Sequence, residues 1–401
     1  MGRIYVPGAG ENHRADTVVI GGGIVGTATA FWLSRAGLDV ILVEMRDGLS
    51  TLTTTASVEC FRAQFTEPAM AALARKSIEI FENFADVVGI PGYDISLHQQ
   101  GYLFITDDPK MVDDLESAVE QYHKLGIADS EFLSGEEIRA RFPFVSPAVV
   151  AGTFRQRDGW LSTHEVTQGF AKGCGASFFT ETRATAIVLD DQGVCRVETT
   201  RGDIETRTVV DAAGPFAGQV ARMVGIELPL EPVRRQRVFV TPSPLIPQDA
   251  PFTVDLVNGS YWRPEVGGAL LAWVDPDEPV SEPSERLKVD WDFPAVALDK
   301  VMRLTPFWEE VAGGMKKRDI IVSAGQYVYT PDDQPLIGPV AEVPGFYVNC
   351  GYWAGVMLSP EAGKWVADLI SGEMAQEDNP LRPSRFEEGT AGKGKSFLSG
   401  H

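Results

Sequence analysis

The chain has 401 residues, with 35 basic and 56 acidic side chains and a net charge of −21. This length accommodates two or three domains around a large core. The excess of acid argues against nucleic acid or an anionic membrane surface as a partner.

Residues 1–14 carry no apolar run of signal-peptide length and read as a loose leader. Thr17–Ile20 is short, apolar and β-branched, the pattern of a buried strand. Gly21, Gly23 and Gly26 follow as G-x-G-x-x-G, then a helical stretch over Thr27–Ala36 with Gly37 as its C-cap. Val40–Val43 predicts a second buried strand, closed by Glu44. In this order the pieces form a dinucleotide-binding βαβ unit. Gly21 permits the tight turn, Gly23 admits a pyrophosphate against the backbone, and Gly26 lets helix and strand pack closely. Glu44 stands about twenty residues after the first glycine, where an acid accepts hydrogen bonds from ribose hydroxyls and repels a 2′-phosphate, which disfavours NADP.

Arg46–Ser57 is a polar loop rich in Ser and Thr, and Val58–Phe65 places Arg62 in an apolar setting. Helices are predicted over Pro68–Val88, Lys110–Leu125 and His164–Lys172, and another behind Ser134 as N-cap. Strands are predicted at Gly101–Thr106, Ala151–Arg155 and Thr180–Leu189. A hairpin is expected from Val194–Thr199 and Glu205–Val210 about a turn at residues 201–203. The apolar strand ending at Asp211 runs into Ala212-Ala213-Gly214, small enough for close approach of a cofactor or a crossing backbone. Val233–Thr241, Ser260–Arg263 and Ala269–Val274 predict a separate sheet, with an exposed acidic connection over residues 275–294. After it come a helix over Val296–Arg303, strands at Ile320–Tyr329, Leu336–Pro339 and Phe346–Asn349, and a helix over Pro360–Ile370. Residues after about 378 are polar and Gly-rich and read as a loose tail.

The dinucleotide half is therefore discontinuous, with a second sheet inserted between its pieces. Cys60, Cys174, Cys195 and Cys350 form no C-x-x-C pair and have no histidine at metal-ligand spacing, so no metal is expected. Scattered thiols suit a reducing, cytoplasmic compartment and are expected to be buried. No transmembrane span is evident. His98 and His123 sit in polar segments and are expected to be exposed.

The segments VVIGGGIVG (18–26), FRAQF (61–65), VVDAAGPFA (209–217), YWRPEVGG (261–268), TPDDQPLIGP (330–339) and GFYVNCGYWAGVMLSPEAG (345–363) occur in one order. In these the chain resembles the flavoprotein amine oxidoreductases of the D-amino-acid oxidase superfamily. Within it the resemblance is nearest to the sarcosine oxidase, sarcosine dehydrogenase and dimethylglycine dehydrogenase group. The implied fold is α/β plus α+β: a discontinuous Rossmann-like FAD-binding domain (15–90, 150–225, 325–375) with an inserted antiparallel-sheet substrate domain (91–149, 226–324). The implied cofactor is FAD, held by Gly21, Gly23, Gly26 and Glu44. Further contacts are implied from Thr53 and Thr54, from Ala184, from Ala213 and Gly214, and from Gly351, Tyr352, Ala354 and Gly355 beside the isoalloxazine.

Three departures from the family pattern bear on chemistry. Tyr327 stands where many members carry the cysteine that anchors FAD, so non-covalent FAD is expected; His164 reads as structural, with a histidyl link as the alternative. The oxygen-assisting lysine matches Leu271, which tilts the expectation toward a dehydrogenase or an oxidase with a different oxygen site. A second lysine, from the carboxylate clamp, matches Met357, while its partner arginine is retained as Arg62. Arg62 is the candidate carboxylate ligand, with pairing to Glu59 or Glu67 as the alternative; Arg263, on a strand that faces the flavin in relatives, is a further candidate, with an outward orientation as the alternative. Tyr261, Tyr327 and Trp353 are candidates for an aromatic pocket around an amine, with core packing as the alternative.

The expected reaction is oxidation of a C–N bond in a secondary or N-methylated amine or amino acid, with oxygen or an electron-carrier protein as acceptor. The alternatives are a flavin-binding subunit of a larger amine dehydrogenase complex, a 2-hydroxy-acid oxidoreductase, and an enzyme using NAD.

Overall fold

The computed structural model describes residues 2–392. A seven-stranded sheet runs in the order Arg3–Tyr5, Ser177–Phe179, Val40–Val43, Thr17–Ile20, Thr208–Asp211, Phe346–Cys350, Leu336–Pro339. All neighbours are parallel except the last pair. Thr17–Ile20 and Val40–Val43 are buried at every position, as parallel strands covered on both faces must be. Helices Ile24–Arg35, Pro68–Glu82, Thr163–Lys172 and Gly355–Ser371 share one core. Helices Ile24–Arg35 and Gly355–Ser371 touch almost backbone to backbone: a Cβ on Gly363 would lie 2.8 Å from the Ala28 carbonyl carbon.

An eight-stranded sheet follows the order Ile320–Tyr329, Glu231–Val240, Gly268–Trp273, Ser260–Glu265, Phe252–Asp255, Tyr102–Thr106, Ala151–Arg155, Ser130–Ser134. It is antiparallel except where Phe252–Asp255 pairs with Tyr102–Thr106. Alternation sorts its two faces. Val238, Trp262 and Leu271 pack outward under helices Phe293–Met302 and Phe307–Gly314. Tyr102, Phe104, Phe252, Tyr261 and Ala272 belong to the core shared with the first sheet.

Several expectations need correction. The leader is not loose: Arg3–Tyr5 pairs with Ser177–Phe179, and His13–Arg14 with Ile204–Glu205. The tail is held as well, because Arg385 is buried against Asp332; residues 393–401 of that expected tail lie outside the described residues. Ala151–Arg155 and Ile320–Tyr329 lie in the eight-stranded sheet, so sheet membership cuts across the boundaries at 150 and 325. The hairpin's second arm splits: Asp203–Glu205 pairs with Gly193–Thr199, while Thr208–Asp211 enters the parallel sheet. The last helix begins at Gly355, before Pro360, whose carbonyl accepts from Trp32 Nε1 at 2.8 Å. Cys174 and Cys350 are buried, whereas Cys60 and Cys195 are half-buried; all four are free. His98 and His123 are exposed. No described helix is long and apolar enough to cross a membrane.

Candidate cofactor and substrate cavity

A cavity opens at the C-terminal ends of strands Thr17–Ile20, Val40–Val43 and Thr208–Asp211. This is where an open parallel sheet binds its ligands. Its wall contains Gly21, Gly23, Glu44, Thr53, Thr54, Ala184, Ala213, Gly214, Tyr352, Ala354 and Gly355, and also Tyr327 and Trp353.

At one end the wall is backbone. Gly21 has φ +115°, and a Cβ there would meet the Ala212 carbonyl oxygen at 2.5 Å. Gly26 does not line the cavity; a Cβ on it would stand 1.9 Å from Gly21 O, so it sets how closely helix meets strand. Gly23 caps helix Ile24–Arg35 without a side chain, leaving the helix end open to an anion. Beside it the Ile24 amide donates to Thr54 Oγ1 at 3.3 Å. Glu44 accepts from the amides of Gly22 (2.7 Å) and Arg46 (2.8 Å). Burial raises its carboxyl above the ordinary 4.5, and those two amides oppose the rise. Opposite, Gly214 has φ +56°, and a Cβ there would meet nothing within 4 Å, so the backbone faces open space. A glycine cradle, an open helix end and a buried acid suit the phosphates and ribose of a dinucleotide such as FAD.

At the other end the wall is side chain: Glu59, Cys60, Gln326, Tyr327, Trp353 and Met357. Trp353 donates from Nε1 to Asp333 O at 2.8 Å, which fixes its ring. Tyr352 donates to Asn349 Oδ1, and Asn349 Nδ2 donates to Thr29 Oγ1 at 3.0 Å. Burial pushes the Cys60 thiol up to about 11 and the Tyr327 phenol well above 10, so both are protonated at neutral pH. Gly351 lies behind the wall: its φ is +79°, and a Cβ would meet Thr330 Cγ2 at 2.8 Å.

Arg62 is fully buried one layer behind Trp353. Its guanidinium donates to Gln64 O and lies 4.0 Å from the Phe65 ring centroid, 5.2 Å from Phe104 and 5.8 Å from Trp353. Asp158 holds this segment, accepting from the Ala63 amide at 3.0 Å and from Gln64 Nε2 at 3.2 Å. Tyr261 is buried beside Phe252 and does not line the cavity.

Arg263 differs from expectation. It is 1 % exposed and turned into the protein, donating to Val58 O at 2.9 Å and to Pro264 O at 3.1 Å, with Glu59 and Glu265 as ion-pair partners. Leu271 also needs correction. It points to the outer helices, and its neighbours on the inner face are Leu270 and Ala272, so Leu271 reports nothing about charge at the cavity. His164 is exposed and outside the wall. Residues that sequence reasoning missed include Cys60, Gln326 and, behind the wall, Arg237. A signal for Arg237 was present: Arg235 and Arg237 occupy alternate positions of an otherwise strand-like run, where buried charge needs a partner.

Residues 16–369 match the family model described as DAO, FAD dependent oxidoreductase. The chain is 28% identical over 410 residues to mitochondrial dimethylglycine dehydrogenase of Homo sapiens, covering 94% of this chain and 45% of that protein. It is 28% identical over 384 residues to mitochondrial sarcosine dehydrogenase of Mus musculus, covering 91% and 40%. The chain thus spans less than half the length of either relative. Among solved structures, L-proline dehydrogenase from P. horikoshii superposes with a TM-score of 0.82 at 26% identity, covering 96% of this chain and 99% of that one.

Proposed function

Because this chain belongs to the DAO family of FAD dependent oxidoreductases, we propose that it oxidises the C–N bond of an amino acid carrying a secondary or N-methylated amine. The imine formed then hydrolyses to a carbonyl product and an amine. The observation that carries this reading is the buried Arg62 guanidinium among Phe65, Phe104 and Trp353, one layer behind the side-chain end of the cavity. A guanidinium exchanges its Gln64 carbonyl partner for a substrate carboxylate, gaining two parallel charge-assisted hydrogen bonds. The aromatic rings then surround the amine and its alkyl groups.

FAD, which Gly21, Gly23, Glu44 and Gly214 would hold, would supply the electron sink for oxidation of the carbon next to nitrogen. The chain's residues bind, orient and exclude water. Cys60 and Tyr327 stay protonated at this end of the cavity, and the Glu59 carboxylate there is engaged by Arg263 and by Thr163 Oγ1 at 2.7 Å, so none of the three is placed as a base. This favours an amine, which loses its proton on binding, over a 2-hydroxy acid, whose hydroxyl needs a base at the moment of transfer. Similarity to dimethylglycine, sarcosine and L-proline dehydrogenases supports the same class. Tyr261 acts in this reading by packing behind Tyr327, and Arg263 by holding the loop that carries Glu59.

The test is an anaerobic visible spectrum of the FAD-loaded protein against N-methyl amino acids, proline, primary amino acids, simple amines and 2-hydroxy acids, followed by air. Bleaching by secondary-amine amino acids is expected. The speed at which colour returns in air separates oxygen from an electron-carrier protein as the acceptor. Bleaching by 2-hydroxy acids alone overturns the proposal, and a flavin bleached by none of them points to a subunit that works with a partner chain.

A further inference from the structure

Residues 53–59 form much of the cavity wall: Thr53, Thr54, Ser57, Val58 and Glu59 all line it. Within itself and with Leu52 this segment has only short-range bonds: Thr55 Oγ1 donates to Leu52 O at 3.2 Å, Ser57 Oγ to Thr54 O at 2.7 Å, and the Glu59 amide to Ser57 Oγ at 3.2 Å. Its regular structure is one helical turn, Thr53–Ala56, with no buried residue and no side-chain cap. So short a helix does not persist unaided. The segment then passes through Glu59 at φ +61°, a left-handed conformation that a non-glycine residue keeps only when its surroundings impose it.

The imposing groups come from the eight-stranded sheet. Arg237, on strand Glu231–Val240, donates from Nη2 to Thr55 O at 2.7 Å and from Nη1 to Ser57 O, and its Nε donates to Ser323 Oγ at 3.0 Å. Arg263, on strand Ser260–Glu265, donates from Nε to Val58 O at 2.9 Å and pairs with Glu59. The Glu59 carboxylate also accepts from Thr163 Oγ1 at 2.7 Å. Thr53 Oγ1 donates to Gln326 O at 3.2 Å, and Gly325 leaves room for Ala56, to whose Cβ an added methyl would come within 3.0 Å. A planar guanidinium with five donors can hold several carbonyls at fixed angles, which an ammonium on a flexible stem cannot.

We propose that Arg237 and Arg263 are positioning residues through which the second sheet holds residues 53–59 in the shape that accepts FAD. Cofactor affinity is thereby tied to docking of a sheet that contributes little of the cavity wall. The inference rests on the reading that FAD occupies this cavity, and the experiment separates the two.

Arg234 provides the control. It sits on the same strand but faces the opposite way, paired with Glu278 at 2.7 Å. Arg237→Met, Arg263→Met, Arg237→Lys and Arg234→Met are compared as apoproteins and titrated with FAD. The expected result is a 30-fold or larger rise in the FAD dissociation constant for Arg237→Met and Arg263→Met. Arg237→Lys should recover part of the loss, and Arg234→Met should stay within threefold of the parent, with apoprotein melting points lowered alike in all four. Hydrogen exchange of the apoproteins gives a readout independent of FAD: amides of 53–59 should exchange at least tenfold faster in Arg237→Met than in Arg234→Met. FAD affinity unchanged in both loop variants, or exchange over 53–59 equal to that of the control, overturns the proposal. Failure of the parent to bind FAD overturns the cofactor reading of the cavity, and hydrogen exchange then judges the clamp alone.

Discussion

Near Glu44 the cavity wall is main chain: Gly21, Gly22 and Gly23 on one side, Ala213 and Gly214 on the other. Near Trp353 it is side chain, supplied by Cys60, Gln326, Tyr327 and Met357 and backed by Arg62. At the first end Gly21, and Gly26 behind it, tolerate no added atom, because backbones are in contact there. The second depends on which partner each polar group has, and changes there should be graded. Substitutions at the two ends therefore test whether the division is real.

The largest effect belongs to the backbone end. Gly26→Val forces Cβ into a carbonyl 1.9 Å away. Ordinary overpacking costs about 1–3 kcal/mol, but here the clash is with the backbone carbonyl of Gly21, so the turn itself must move. Loss of detectable FAD binding in a spectroscopic titration is expected; a variant that keeps its yellow colour through gel filtration would break the comparison.

Next comes the Asp332–Arg385 pair, which supports the turn below Trp353. Arg385 donates to both Asp332 oxygens at 2.9 Å, and both side chains are 1 % exposed. Removing one partner of a buried pair costs about 3–5 kcal/mol, so Arg385→Met should lower the melting temperature while leaving the glycine end intact. Burial opposes the Asp332 charge, but the Arg385 hydrogen bonds outweigh it and hold the carboxyl below its usual 3.8. A depressed acid stabilises the fold above its unfolded value and loses that contribution as pH falls through the lower folded value. The parent should thus lose stability more steeply than Arg385→Met below about pH 3.8, as read by denaturant midpoints across pH.

Glu44→Gln leaves one oxygen to accept from two amides. Charge-assisted hydrogen bonds contribute about 1.5–3 kcal/mol, so a roughly 10- to 100-fold loss of FAD affinity is expected in the same titration. Trp353→Phe removes the bond to Asp333 O, worth about 1 kcal/mol. Its effect should fall on substrate KM, leaving FAD affinity within threefold; equal losses in both would erase the distinction between the two ends.

The two ends were also unequally legible. A wall made of backbone demands small residues at fixed spacing, and the triplet at 21, 23 and 26 with Glu44 downstream states that demand in one short stretch. The side-chain end is assembled from strands far apart in the chain, and in a strand one residue of register decides which face a side chain meets. Leu271 and Leu270 are adjacent and alike, yet they face opposite sides, and the sequence alone offered no way to choose between them. Arg263 likewise reads as a substrate ligand until its partners Glu59 and Glu265 are seen. Arg385 lies in a polar run without apolar period; buried polar contacts order it, Arg385 to Asp332 and Asn379 Nδ2 to Ile337 O at 2.7 Å, and no pattern announces them. Pro360 reads as a helix start because proline favours the first turn, while the preceding turn is set by packing of residues 355–359.

The central strands of the seven-stranded sheet, at 17–20, 208–211 and 346–350, lie side by side although most of the chain separates the first from the last. Such pairings form late, since long loops must close before they are rewarded. During synthesis on the ribosome, the glycine turn and its helix emerge early with one sheet neighbour, Val40–Val43, but the neighbour on the other side, Thr208–Asp211, comes about halfway along and Phe346–Cys350 far later. The wall at residues 352–357 is missing until then, so the complete cavity exists only once synthesis has passed Met357.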